Sequence, residues 1–570
     1  MSHRRFPYTF VMAAERREGD GTMIWQTHEV SNQYEELADY SLYDSDPALC
    51  EVLLRADAGW AEAGLRAYGE RLGRADSFEL AEQANRHVPE LRAFDRRGRR
   101  VDQVDSHPAW HQLLTLYREQ GLVSMPFDSE RTGRWSATMA GIYLHGQVEA
   151  GSLCPATMTQ AGIPLLRREP GLWASLGDKL FSRVHDSRDL PLERKTSAWI
   201  GMGMTEKQGG SDVRANTTQA TPLGAGGRGG EYRLRGHKWF WSAPMCDAHL
   251  VVAKTVDGAP CCFYVPRWRP DGERNAVRIQ RLKDKVGNRS NAGCEVEFQD
   301  AWGVLIGEEG RGIPTIIEMA GYTRLNCVIG SAALLRQGVV QSLAYARRRM
   351  AFGKRLAEQP LMRAVLADLA LESEAALQVA ARLSEAFERD DAPAQRGWKR
   401  IVTPAAKFWV CKRAVEFSGE AMEVFGGNGY VDGPMARAYR EAPLNSIWEG
   451  SGNVMCLDVI RALQREPQAW QALLEDLAVL SGGDPALAAA LAQLRELAAR
   501  PAELEPLGRR FAQLLALTAQ GCLLTRHAPA ALAQGFVASR LSDGQWGRVA
   551  GALDANRLQV DAILQRALPA

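Results

Sequence analysis

A chain of 570 residues with a formal net charge of +1 is too long for one small domain, and it carries no global field that would draw it to nucleic acid or an acidic membrane. Its 46% hydrophobic and 24% charged residues exclude wholesale disorder. Its ten cysteines include no C-x-x-C pair, which excludes a disulfide framework or a zinc site and fits the reduced, buried thiols of a cytoplasmic protein.

In chain order, residues 1–22 read as a tail. Arg4-Arg5 and the short apolar run FPYTFVMAA are followed at once by Glu15, Arg16 and Arg17, a poor cleaved signal peptide. Met23 is an alternative start. No run reaches the roughly 18 apolar residues of a membrane span. Residues 23–197 read as an α-helical domain, with loops at HPAW around Pro108 and at the basic run Arg96-Arg97-Gly98-Arg99-Arg100. That run suits either a phosphate or a solvated turn.

Residues 198–306 change character. Short β-rich runs, Tyr232–Trp241, Leu250–Val256, Cys261–Pro266 and Cys294–Phe298, are punctuated by Gly, Asn, Asp and Pro. Neighbours such as Cys261 and Cys262 point to opposite faces of a strand. The glycine-rich GAGGRGG (Gly224–Gly230) lacks the setting of a phosphate loop and reads as a hairpin connection. Helical periodicity returns in residues 307–460. Leu361–Phe387 repeats apolar residues on one face of a long amphipathic helix, and Ala405–Val424 is a second helix. Residues 461–570 form an alanine- and leucine-rich helical domain. The expected fold is mainly α with a central β domain.

Four segments suit cofactor chemistry, though each has an ordinary reading alone. GMGMTEKQGGSDV (Gly201–Val213) offers backbone N–H groups and hydroxyls to a ring edge and phosphate, or is simply a polar glycine turn. HKWFWS (His237–Ser242) offers aromatics to a planar cofactor, or is a common strand. ARRRMAFG (Ala346–Gly353) can pair with diphosphate, or end a solvated helix. In Met422–Met455, Glu449 follows Trp448 and precedes Gly450-Ser451-Gly452-Asn453. A poorly solvated glutamate at a pocket edge suits abstraction of a weakly acidic C–H proton; a solvated loop acid is the plain alternative.

In this order and spacing, M-T-E-x-x-x-G-S-D, K-W-F-x-S, R-x-x-F-G, G-G-x-G-Y and E-G-S-G-N resemble the acyl-CoA dehydrogenase superfamily from about Met23 to Leu463. IWQTHEVSNQ, ALCE, QVEAGSLCP, LKDKVGNRSNA, TPAAKF and NSIWEGSGNVMCLDV resemble its AidB branch, flavoproteins of the adaptive response to DNA alkylation. The resemblance implies an α domain, a β-barrel-like domain and an α bundle, with an extra C-terminal α-helical domain, and FAD as cofactor. It implies that Met204 and Thr205 meet the flavin edge, that Ser211 lies near the pyrophosphate and that Phe240, Trp241 and Ser242 flank the ring. Ile447, Gly450, Ser451, Gly452 and Asn453 belong to the same set. Arg349, Phe352, Gly426 and Gly427 would reach the FAD of a neighbouring subunit in a homotetramer. Glu449 would be the base in α,β-dehydrogenation of a small acyl-CoA or related thioester, with the β-hydride passing to flavin. The residue beside Arg324, where some members carry their base, is Thr323. Two departures put turnover in question: Glu358-Gln359-Pro360 does not align with a cofactor-contacting glutamine, and Trp448 is large enough to narrow the acyl pocket.

The branch also implies double-stranded DNA binding by the C-terminal domain, with the dehydrogenase fold then kept mainly as scaffold. Residues 461–570 hold eleven arginines, no lysine and ten acidic residues, so the domain is not strongly basic. Arg461 and Arg465, one helical turn apart, are the candidate phosphate contacts. Arg509, Arg510, Arg540, Arg548 and Arg557 follow. No metal site is expected.

Overall fold

The computed structural model describes residues 27–128, 130–389, 391–431, 433–542 and 549–569. The N-terminal tail and Arg548 lie outside the described residues. Helices dominate residues 47–181, interrupted by one hairpin, β1 (Glu90–Phe94) and β2 (Arg100–Asp105). The basic run is its turn. Arg99 pairs with Asp95 at 2.7 Å and Arg100 with Asp102 at 2.9 Å. Arg100 also donates to the Ile279 carbonyl, and Val104 enters the core of the β domain. The run therefore joins two parts of the chain. The HPAW segment, by contrast, is not a loop: Pro108 opens the helix Pro108–Glu119, the position where a missing N–H costs nothing.

Seven strands follow: β3 (Ile200–Gly203), β4 (Gln219–Pro222), β5 (Glu231–Ser242), β6 (Ala248–Lys254), β7 (Pro260–Pro266), β8 (Val277–Leu282) and β9 (Gly293–Ile306). Pairings β6–β4, β4–β5, β5–β9, β9–β7 and β7–β6 close a ring. β3 lies parallel on β6 and β8 pairs with β9. Alternation drives the closure: Tyr232 and Leu234 are buried while Glu231, Arg233 and Arg235 are exposed. Cys261 belongs to the barrel core and Cys262 to the larger helical core, as adjacent strand residues should. Gly224–Gly230 connects antiparallel β4 and β5.

Beyond the barrel, helix Gly312–Ala346 packs against Pro360–Glu388 and Thr403–Val424. Among the described residues it is the one helix long and apolar enough to cross a membrane, and its apolar window is wholly buried. It holds no unbroken apolar run of that length: Arg324, Asn326, Arg336, Gln337 and Gln341 interrupt it, as suits a core helix packed inside a bundle.

After Arg465 come Pro467–Leu480, Pro485–Ala498, Gly508–His527, Ala530–Arg540 and Val560–Ala567. The last folds back onto the bundle. Arg566 pairs with Glu374 at 2.9 Å and Glu51 at 2.6 Å. Arg336 donates to the Ala567 carbonyl and Arg347 to that of Leu568, so cations cap the helix end. Replacing Arg566 by Ala leaves the buried Glu374 without its cation. Amide exchange across 560–568 is expected to quicken about a hundredfold, the equivalent of about 3 kcal/mol; unchanged exchange would mean apolar contacts alone hold the helix.

Candidate functional site

The first two sequence segments are joined by the barrel. After β3 the chain turns through Met204 and Thr205, and the Trp239 N–H donates to the Thr205 carbonyl at 2.8 Å. The Asn216 amide donates to the Met204 carbonyl at 2.8 Å. Beneath them lies an ion pair: Lys238 Nζ is 2.9 Å from Glu206 Oε1, and both side chains are fully buried. Glu206 also accepts from the N–H and hydroxyl groups of Thr217 and Thr218, the shortest at 2.6 Å. With this cation and these donors on it, the carboxyl is held well below the usual carboxylate range.

Phe240 is 55% exposed, with Met204, Thr205 and Ser242 half-buried and Ser211 exposed. These residues present an aromatic face beside hydroxyls. Trp241 does not join them, which corrects its expected place beside the flavin. It is 3% exposed and stacks on His249 with ring centroids 3.8 Å apart. A register shift between Lys238 and Trp241 turns Phe240 outward while Trp241 enters the barrel. The stack explains the GMGM spelling: a Cβ on Gly201 would lie 2.2 Å from the His249 ring, and one on Gly203 2.5 Å from that of Trp241.

Glu449 lies between helices Pro434–Ile447 and Gly452–Arg465. Its φ is 59°, left-handed and unusual for a non-glycine residue. Thr323 Oγ1 donates to Glu449 Oε2 at 2.5 Å, so the position beside Arg324 here carries a hydroxyl donor to Glu449. Arg324 Nε donates to the Glu449 carbonyl at 3.0 Å. Lys407 Nζ donates to the carbonyls of Trp448 and Gly450 at 2.6 and 2.5 Å. The Trp448 indole N–H donates to Asn445 Oδ1 at 3.0 Å. Cys154 bridges towards the barrel: its thiol meets Ser242 and Asn291 and lies in the field of Glu449, and burial pushes it up to about 11. It therefore stays protonated and is no nucleophile near neutral pH.

Ile447 is 63% exposed, Ser451 and Asn453 are exposed, Gly450 is half-buried and Gly452 buried. Ser451 makes no side-chain cap on the 14-residue helix Gly452–Arg465, so the first N–H groups of that helix are free for phosphate oxygens. An exposed aromatic, hydroxyls and an uncapped helix N-terminus fit a flavin dinucleotide.

Arg349, Phe352, Gly426 and Gly427 form a second group. Arg349 donates to the Asn32 carbonyl, and Asn32 bonds to both main-chain groups of Met350 at 2.8 Å. Asn428, between Gly427 and Gly429, donates to Gln33 at 3.2 Å. Gly426 has a φ of 60°, and both it and Gly427 are exposed. Phe352, at the tip of a short hairpin, is fully exposed. Gln359 donates to the Ala351 carbonyl at 3.0 Å and steadies that hairpin. Among the described residues no hydrogen bond or ion pair joins the two groups. Sequence reasoning missed Asn32, Gln33, Glu206, Lys238 and Lys407. Their signal was polar residues set inside otherwise matching motifs, as in M-T-E and T-P-A-A-K-F.

Arg461 and Arg465 share the exposed side of helix Gly452–Arg465, with no ion-pair partner among the described residues. Arg540 is buried on Asp368 and Glu372, so it is removed from any phosphate-binding surface.

A closed barrel between helical layers, with an exposed aromatic and hydroxyls on one segment and a braced glutamate on another, fits the FAD-dependent oxidoreductases that act on CH–CH bonds, and the family matches place the chain in that class. The chain belongs to the acyl-CoA dehydrogenase family, in its AidB branch. Residues 32–187 match the adaptive response protein AidB N-terminal domain, 201–301 the acyl-CoA dehydrogenase middle domain and 310–464 its C-terminal domain. AidB of Escherichia coli (strain K12) is 47% identical over 90% of this chain and 94% of its own. Acyl-CoA dehydrogenase family member 11 of Caenorhabditis elegans is 28% identical over 85% of this chain and 84% of its own. The crystal structure of C. elegans ACDH-11 in complex with C11-CoA shares the fold at a TM-score of 0.81, with 23% identity over 95% of this chain and 93% of its own.

Proposed function

We propose that the protein dehydrogenates an acyl-CoA thioester between its α and β carbons, with Glu449 as the base. The observation that carries this reading is the bracing of Glu449: the peptide units around it are held from Lys407 and Arg324, and its carboxylate accepts from Thr323. Bound FAD supplies the hydride acceptor. Phe240, Met204, Thr205 and Ser242 would hold the ring, Ser211 and the N–H groups after Ser451 would receive phosphate oxygens, and Ile447, Gly450, Gly452 and Asn453 would complete that wall. Glu449 takes the α-proton, which leaves the thioester carbonyl negative until the β-hydrogen departs. Incubation with short acyl-CoAs and an artificial electron acceptor tests this: the α,β-unsaturated thioester, lighter by H2, is the expected product, and its absence for every substrate opposes the reading.

The protein is further proposed to be a homotetramer. Phe352 is fully exposed, and Leu361, Tyr430 and Val431 are 86%, 79% and 61% exposed. Such large apolar side chains support contact with a second subunit, whose FAD Arg349, Phe352, Gly426 and Gly427 would then reach. The free cysteines, all buried except the half-buried Cys50, support a reducing, cytoplasmic setting.

A second reading, duplex-DNA binding in the response to alkylation, is favoured by Arg461 and Arg465, exposed on one helix and without an ion-pair partner among the described residues. It predicts affinity that falls steeply with salt, and replacing Arg461 and Arg465 by Ala should lower the log–log salt slope by about 2. Absence of binding at low salt would remove this reading and leave the enzyme reading intact.

A further inference from the structure

Three consecutive carbonyls, those of Trp448, Glu449 and Gly450, all accept hydrogen bonds from cations. Two of the three bonds come from Lys407. This side chain is 1% exposed, and among the described residues no carboxylate lies within ion-pair distance of it. A buried ammonium without a counter-ion is costly unless its protons find acceptors. Here the acceptors are main-chain oxygens on either side of the base. The third bond comes from Arg324, which is fixed in turn by Asp458 at 2.7 Å on the helix that follows the loop. Glu449 itself sits at a φ of 59°, a conformation that persists in a non-glycine residue only where its surroundings impose it.

We propose that Lys407 is the positioning residue of the base. By holding the carbonyls on both sides of Glu449 it keeps the left-handed turn closed and the carboxylate on Thr323. Helix Thr403–Val424 thus sets the base through its main chain, and the Lys407 side chain touches no reacting atom. This inference rests on Glu449 being the base.

The test uses FAD-loaded Lys407→Met and Lys407→Gln beside Glu449→Gln. It measures single-turnover flavin reduction, acyl-CoA affinity, FAD content and amide exchange over 448–452. Lys407→Met is expected to slow reduction about a hundredfold while affinity changes less than about threefold. Exchange over the loop should quicken at least about tenfold. Lys407→Gln, which keeps a donor without the charge, should fall between Met and wild type. A folded, FAD-loaded Lys407→Met protein with wild-type reduction rate and loop exchange overturns the proposal. If Lys407→Met does not fold, Lys407→Gln decides: wild-type rate and exchange overturn it, and a slowed rate with quickened exchange supports it. The two levels separate cleanly. Wild-type reduction in Glu449→Gln sinks the base itself, whereas an inactive Glu449→Gln with a wild-type Lys407→Met sinks the positioning role alone.

Discussion

Glu449→Gln is expected to fold, to retain FAD and to bind acyl-CoA, yet to reduce its flavin about 10²–10⁴-fold more slowly than wild type. The expectation is this specific because the substitution leaves the frame of the loop untouched. Lys407 and Arg324 grip main-chain carbonyls, so the left-handed turn does not depend on the side chain. The glutamine carbonyl still accepts from Thr323. What disappears is the capacity to take a proton. Stopped-flow reduction, with FAD content and substrate affinity measured on the same samples, isolates that loss: a fall in rate without a fall in affinity marks an interaction made in the transition state. A rate within about tenfold of wild type would mean that another group removes the proton.

Lys238→Met should produce the largest loss of stability. The mutation leaves the fully buried Glu206 carboxylate without its cation, a change that costs about 3–5 kcal/mol in comparable settings. Donors from Thr217 and Thr218 remain on Glu206 and soften the penalty. The loop from Met204 to Ser211, proposed above to hold the flavin, carries Glu206, so FAD release should accompany destabilisation. Lys238→Met with Glu206→Gln should recover part of the loss, and a double-mutant cycle measures the coupling. The pH dependence has a definite sign. In the wild-type fold the Glu206 carboxyl is held low, so its contribution is complete above its unfolded value of about 4.3 and is lost as pH falls through the depressed folded value. The single variant should therefore unfold at a higher pH on acid titration. An acid midpoint equal to that of wild type would show that the threonines, and not Lys238, hold the carboxylate.

The order of helices, barrel and helices was legible because periodicity shifts abruptly near Ile200, and the strands around Tyr232, Leu250 and Cys261 announce themselves by β-branched and aromatic runs. β8, whose one fully buried residue, Ile279, lies among polar ones, and β4, four residues long, carry too little pattern to be seen. The hairpin at residues 90–105 was hidden for another reason: its strands are half-exposed and gain their partners from the barrel, far away in sequence. At the site, motif spacing singled out Phe240 and Trp241 together, but only Phe240 faces outward, because a bulge breaks the simple alternation that adjacent aromatics suggest. Lys407 and Glu206 stand inside the matching motifs, but what they do rests on bonds to residues distant in sequence, Trp448 and Gly450 for Lys407 and Lys238 for Glu206, which the motifs do not announce.

The most direct measurement is anaerobic mixing of the FAD-loaded protein with short, branched and long acyl-CoAs, following the visible flavin band in wild type and Glu449→Gln together. Dehydrogenation with Glu449 as base predicts rapid bleaching by at least one small acyl-CoA in wild type and its loss in the variant. A flavin that no acyl-CoA bleaches, or one bleached equally in both proteins, would contradict it.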